Sequence, residues 1–277
     1  MRIVNLIENT SGAADCVPAH GLSFYIETSR HRLLMDTGPS DQTLQNARVL
    51  GVDLKAVDTA VISHGHYDHT GGLMAFAALN PDARIYLRRG AEGDFYSGSA
   101  ADGTLHPIGM DKRILSLPNL IWAKGNMEID EELSLFGGVD GRKYWPLSNL
   151  RLSRRTGDRF MQDDFSHEQC LVIREKGCAV LLSGCAHSGV LNILETYRAL
   201  YGGAPDAVIS GFHMKKDGDF TPEEAAVVDG TARALLSWPC RFYTCHCTGL
   251  PAFERMKRIL GDRLQYIRCG DALFLSV

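Results

Sequence analysis

Three histidines and an aspartate fall within six residues of this chain, in the segment Ser63-His64-Gly65-His66-Tyr67-Asp68-His69-Thr70-Gly71-Gly72. His64 and His66 are two apart, so on an extended stretch both imidazoles face the same side. Gly65 between them leaves room for the backbone and for an approaching ion. Asp68 and His69 come where the chain turns into a helix and can reach a second point a few ångströms away. A lone histidine usually serves only local hydrogen bonds. Three with a carboxylate, in a chain that holds ten histidines in all, point to metal ligation. They are too many for one open catalytic ion and suit two ions roughly 3.5–4 Å apart that share a hydroxide.

The segments around this motif alternate between strand and helix patterns. Strands are expected at Ile3 to Ile7, Leu22 to Glu27, Arg32 to Asp36, Asp58 to Ser63 and Ala83 to Leu87, with helices from Ser40 or Asp41 to about Leu50 and from Gly71 to Leu79. The second half repeats the style. Cys170 to Glu175 and Ala179 to Ser183 form a hairpin around Lys176-Gly177. Val190 to Tyr201 is a helix and Ala207 to Ser210 a strand. Thr221 caps a helix from Pro222 to Ser237, Arg241 to Thr244 is a strand, and Pro251 to Leu260 is a helix. Two such α/β halves would pack sheet against sheet with helices outside. The stretches 90–110 and 137–165 read as irregular inserts or flaps. The second carries Arg142, Lys143, Arg151, Arg154, Arg155 and Arg159, which reads either as a solvated basic loop or as a cover that meets an anionic substrate.

Bulk composition narrows the partners. The net charge of −4 gives no basic field for nucleic acid, and no apolar run approaches the ~20 residues of a membrane span. The first residues lack a signal-peptide pattern, so a cytoplasmic location is expected. The oligomeric state is left open. The eight cysteines include no CxxC pair and are expected to be reduced and largely buried. In Cys245-His246-Cys247, neighbouring side chains on a strand point to opposite faces, so the cysteines are not read as ligands.

His-X-His-X-Asp-His at a strand end resembles the signature of the metallo-β-lactamase superfamily, and Leu33-Leu34-Met35-Asp36-Thr37-Gly38 is similar to that superfamily's first motif. The resemblance implies an αββα four-layer sandwich, two mixed β-sheets with external helices, over one domain spanning 1–277. It also implies a two-metal centre, most simply zinc with manganese or iron as options, and a role for Asp36 in bracing the histidine loop. Such a centre needs two further histidines. His187 in Gly184-Cys185-Ala186-His187-Ser188-Gly189 and His246 in Thr244-Cys245-His246-Cys247-Thr248-Gly249 both sit in strand-end loops, which makes them the expected ligands.

Two departures stand out. Cys185 takes the place where the superfamily has a bridging aspartate. Either it supplies a thiolate or the ions share only water and Asp68; the second is favoured, with Cys185 beside the ligands or facing substrate, and whether it is itself a ligand stays open. His167 lies near, but slightly late for, the usual third-motif histidine, and is read as structural or pocket-lining. Gly-Cys-Ala-His-Ser-Gly, Gly211-Phe212-His213, His-Cys-Thr-Gly and His20-Gly21-Leu22-Ser23 are similar to the dihydropterin synthase-like branch, many of whose members are called metal-dependent hydrolases. The resemblance implies hydrolysis of a small anionic ester, phosphoester or lactone. Asp68 would orient the attacking hydroxide, and His213 or His20 would donate a proton or bind substrate. The alternatives are a synthase-like condensation and an iron-dependent redox reaction. His66 speaks against the redox reading, because the related di-iron sites place glutamate there.

Overall fold

The computed structural model describes residues 1–12, 15–98 and 103–275. Alternate residues of each central strand are apolar on opposite faces, and each face finds its own cover. Leu33 faces a buried cluster with Phe24, Leu171, Ile209 and Tyr243 that lies between two sheets. Its neighbour Leu34 faces the other way, onto a cluster with Phe76, Ala47 and Ile85 under the helices of the first half. In the second half Leu171 and Ile209 point inward, while Val172 and Val208 pack with Leu194, Leu235 and Met256 of the outer helices. Three apolar seams therefore separate four layers, helix, sheet, sheet and helix, as the sequence pattern implies.

The first sheet runs in the order Ala272–Phe274, Arg2–Ile7, Ser23–Glu27, Arg32–Met35, Thr59–Val61, Arg84–Arg88 and Leu120–Ala123. The second runs Leu264–Tyr266, Arg241–Thr244, Ala207–Ser210, Cys178–Leu182, Gln169–Glu175, Leu133–Gly137 and Met127–Glu128. Both are mixed. Arg32–Met35, Thr59–Val61 and Arg84–Arg88 pair in parallel, and so do Cys178–Leu182, Ala207–Ser210 and Arg241–Thr244. Parallel neighbours release the chain at the same edge, so the loops after them gather there. The helix Pro222–Leu235 starts with a full capping box between Thr221 and Glu224. The helix Gln42–Val49 has Asp41 at its N-cap, but that side chain makes no cap bond. Among the described residues, no helix is long and apolar enough to cross a membrane.

The two segments read as irregular are in part strands. Asp94–Ser97 and His106–Pro107 pair with each other, and Asp94–Ser97 also pairs with Leu152–Thr156, which continues to Arg159–Gln162, making a four-stranded third sheet. Residues 99–102 of the first segment lie outside the described residues. The pairing joins stretches more than fifty residues apart, and local periodicity carries no trace of such a partner. The sheet also answers part of the arginine question. Arg154 pairs with Asp164 at 3.0 Å and Arg155 with Asp94 at 3.1 Å, so internal carboxylates already engage both.

Candidate metal centre

The loops that follow the parallel strands place their side chains at one edge, between the two large sheets. Asp36 follows Arg32–Met35, and His64 to His69 follow Thr59–Val61. Cys185 and His187 follow Cys178–Leu182, His213 follows Ala207–Ser210, and His246 follows Arg241–Thr244. Asp36, Ala186, His213 and His246 all have φ between 50° and 58°, the left-handed region that costs energy outside glycine. Sharp backbone turns thus aim these side chains inward. Gly65 is small because backbone passes close to it, one of the two reasons expected from sequence. A Cβ there would meet the carbonyl oxygen of Ala91 at 2.3 Å, so it is the 90s segment that closes onto the histidine loop. At Gly184 a Cβ would meet the Ser63 hydroxyl at 2.2 Å.

Four imidazoles are tied back through one nitrogen and present the other to a common space. Ser63 Oγ donates to Asp36 Oδ2 at 2.7 Å, so it must accept from His64 Nδ1 at 2.8 Å. His69 Nδ1 donates to Asp36 Oδ2 at 2.7 Å. Asn149 donates its amide to the His187 carbonyl, which turns its Oδ1 toward His187 Nδ1 at 2.9 Å. His246 Nδ1 donates to Asn9 Oδ1 at 2.8 Å. In each ring the Nε2 is left facing inward, the arrangement that outer partners impose on metal-binding histidines.

The inward atoms form two groups. His64 Nε2 lies 3.3 Å from His187 Nε2, with the His66 ring 4.5 Å from that of His64 and 5.0 Å from that of His187. Asp68 Oδ2 lies 3.7 Å from His69 Nε2 and 3.2 Å from His246 Nε2. The His246 approach does not satisfy hydrogen-bond geometry, and the buried Nε2 of His66 likewise has no partner. Buried, unpartnered imidazole nitrogens are costly unless something else binds them, and a cation is what this donor set fits. The rings of His64, His66 and His187 thus adjoin and Asp68, His69 and His246 meet, although the ligand atom of His66 groups with Asp163, 4.0 Å away, and His167.

The remaining residues fall as follows. Cys185 Sγ is 3.2 Å from His69 Nε2 and stands among the ligand atoms, not behind them. The sequence reading favoured a site without its thiolate and left the choice open. Cys245 packs into the apolar seam between the sheets, whereas Cys247 faces the site beside Cys185 and His213. All eight cysteines are free and buried. His167 sits behind His66, accepting from the Gly65 amide at Nδ1 and reaching Asp163 through Nε2 at 3.1 Å, so both of its nitrogens are engaged. His20 stands half-exposed at the rim, 3.6 Å from Asp68. His213 lies over His187 with ring centres 4.1 Å apart, and its Nδ1 is buried without a partner.

Several supporting residues escape a sequence reading. Glu8 accepts from the His246 amide at 2.7 Å and from the Tyr266 hydroxyl at 2.6 Å. Glu168 accepts from the His187 and Ser188 amides. Asn9 and Asn149 are the ring partners already described. Glu168 neighbours His167, which was the only signal within reach.

A cavity of about 330 Å³ opens over the site. Ser97, His106, Ile108 and Leu152 form one wall, so the third sheet roofs the centre. It is stitched on through the Tyr67 amide, which donates to the Ile108 carbonyl at 2.8 Å.

Burial and crowding set the charge states. Burial, reinforced by the neighbouring rings, pushes His64 and His187 well below the usual imidazole value and His66 down to about 3. Burial opposes ionisation of Asp68, but facing His69 and His246 outweigh it and hold the carboxyl below its ordinary range. Burial also works against a charged His69, yet Asp36 and Asp68 raise it to about 9.

These directions predict the acid behaviour of the metal-free protein. A histidine lowered by folding contributes stability above the unfolded value near 6.5 and loses it as pH falls. His69 is raised, so its contribution is already complete below 6.5 and does not oppose the loss. Between about pH 6.5 and 4 the metal-free protein should lose roughly 10 °C of melting temperature. Thermal melts in chelator across that range check it, and a flat profile would contradict the buried, neutral rings.

The family model for the metallo-beta-lactamase superfamily matches residues 17–145. A Methanocaldococcus jannaschii protein named 7,8-dihydropterin-6-methyl-4-(beta-D-ribofuranosyl)-aminobenzene-5'-phosphate synthase is 26% identical, over 92% of this chain and 89% of its own. The crystal structure of Tm1679, named a metal-dependent hydrolase of the beta-lactamase superfamily, superposes with a TM-score of 0.84 at 29% identity and covers 100% of both chains. Zn(2+)-bound PqqB from Methylobacterium extorquens shares the fold, with a TM-score of 0.60 at 14% identity, over 99% of this chain and 100% of its own.

Proposed function

Because the chain belongs to the metallo-β-lactamase superfamily, we propose that it is a hydrolase working through two divalent cations, most simply zinc, on a small anionic ester, phosphoester or lactone. The observation that carries this reading is the set of four histidines, each tied back through Nδ1 with Nε2 turned toward a common space, His187 and His246 also lining the roofed cavity. His64, His66 and His187 would hold one cation, and Asp68, His69 and His246 the other. When bound, such ions lower the pKa of water toward about 7 and polarise a substrate oxygen.

The protein's own groups supply the rest. Asp68 stays ionised and can accept a hydrogen bond from an attacking water, fixing its direction. His213, with an unpartnered Nδ1 at the cavity wall, is placed to give a proton to a leaving oxygen. An anionic substrate suits Lys215, which is exposed near His20 at the rim, whereas Lys216 is already paired with Glu224. The third sheet narrows the access of water to the reacting atoms.

The test is a screen of zinc- and manganese-loaded protein against phosphodiesters, phosphomonoesters, lactones and thioesters, with metal content measured alongside. One of these classes should turn over, and chelator should abolish the activity. Protein that binds two ions and cleaves none of them would defeat the hydrolase reading. A condensing activity is the second reading, favoured by the likeness to the archaeal synthase over most of both chains. Mass analysis after incubation with an activated dihydropterin and an aminobenzene riboside 5′-phosphate separates it from hydrolysis.

A further inference from the structure

The two proposed cation positions leave one group between them unassigned. Cys185 Sγ belongs to three clusters of possible ligand atoms: with His64 and His187, with His69 and His246, and with His213 and Cys247. In each, all atoms lie within 4.8 Å of one another. The first two clusters hold two histidines from each half of the centre, His64 and His187 from one and His69 and His246 from the other, and Cys185 is common to both. Resting on the two-cation reading, we infer that Cys185 is a bridging thiolate, its sulfur shared by the cation of His64, His66 and His187 and the cation of Asp68, His69 and His246.

The spacing suits this. A tetrahedral ion with ligands at about 2.0–2.3 Å has ligand-to-ligand edges of roughly 3.3–3.8 Å. The edges His64–His187 and Asp68–His69 measure 3.3 and 3.7 Å, within that range, and His69–Cys185 and Asp68–His246 both measure 3.2 Å, just below it. A carboxylate bridges through two oxygens, whereas one sulfur reaches two ions alone. A buried cysteine ordinarily packs as a small hydrophobe, as Cys245 does in the seam between the sheets. The neighbours of Cys185 are imidazole nitrogens and a second sulfur instead. Cys247 shares a cluster only with Cys185 and His213.

On binding, the S–H bond breaks, two sulfur–metal bonds form and the proton leaves to water, with no change in the oxidation state of sulfur. A soft bridge of this kind favours zinc, cadmium or cobalt over magnesium or calcium.

Cobalt(II) titration of the metal-free full-length protein tests the inference by spectrum and stoichiometry, independently of activity. Wild type should bind two equivalents. An intense near-ultraviolet sulfur-to-cobalt band should grow through both, because the sulfur touches both ions. Cys185→Ser should lose the band and bind its second equivalent at least about 10-fold more weakly. Cys185→Asp should lose the band but keep two tight equivalents, because a carboxylate can replace the bridge; this variant covers the case in which the serine form folds poorly. Cys247→Ser should keep the band. A band that grows with only one equivalent, persists in Cys185→Asp or disappears in Cys247→Ser overturns the bridge. Two equivalents without any band overturn it too, while leaving the two-cation reading intact. Fewer than two equivalents in wild type sinks that reading as well.

Discussion

Replacing His66 with alanine is expected to strip most of the metal from the position it shares with His64 and His187 and to lower turnover more than 100-fold. Loss of an outer hydrogen-bond partner typically costs roughly 10–100-fold, and His66 is itself an expected ligand. The effect on the metal-free fold should be small. Its Nε2 is buried without a partner, so truncation relieves about 1–3 kcal/mol of uncompensated desolvation while opening a cavity of similar cost. Melting temperatures should therefore lie within a few degrees of wild type in chelator and well below it in zinc. Equal stabilisation of both proteins by zinc would show that His66 does not bind the ion.

The second large effect is at Asp36. Its carboxylate accepts from the Ser63 amide at 2.7 Å, the Ser63 hydroxyl at 2.7 Å and His69 Nδ1 at 2.7 Å, and the residue is fully buried. Asp36→Ala leaves those donors facing a void and removes the counter-charge of His69. The expected cost is about 3–5 kcal/mol, or roughly 10 °C in melting temperature, with metal affinity down about 10–100-fold. The left-handed φ of 58° adds to the penalty, since alanine tolerates it less well than aspartate. Asp36→Asn should recover part of the stability, because asparagine accepts that backbone and keeps one acceptor oxygen. Thermal melts and competition with a chromogenic chelator read both quantities. A change under about 2 °C for the alanine variant would remove Asp36 from this role.

What the sequence reveals, and what it hides, follows the range of the interactions. The histidine run at 64–69 is legible because its ligands lie close together in the chain and their spacing has meaning on a strand end. The central strands and outer helices are legible because their apolar period is local. Asp36 could be placed through its motif, but its double hold on Ser63 and His69 could not. Asn149, Asn9, Glu8 and Glu168 brace the centre from stretches 19 to 238 residues away from what they hold, and an isolated asparagine or glutamate carries no mark of such a task. The third sheet was hidden for the same reason. Cys185 was read against a carboxylate pattern, and only the fold brings its sulfur beside His69 and within reach of His64, His187 and His246.

The ligands of each proposed cation come from both large sheets: His64, His66, Asp68 and His69 from the first, Cys185, His187 and His246 from the second. Bound ions would rivet the two halves of the chain across their apolar seam. Neither half carries a full set, so the rivet can close only late in folding, after the sheets have docked. Once closed, it makes prying the halves apart a prerequisite for complete ligand loss. Ion exchange should then be far slower than the diffusion of ions through the open cavity would allow, and the loaded protein should resist unfolding for longer than its equilibrium stability alone suggests.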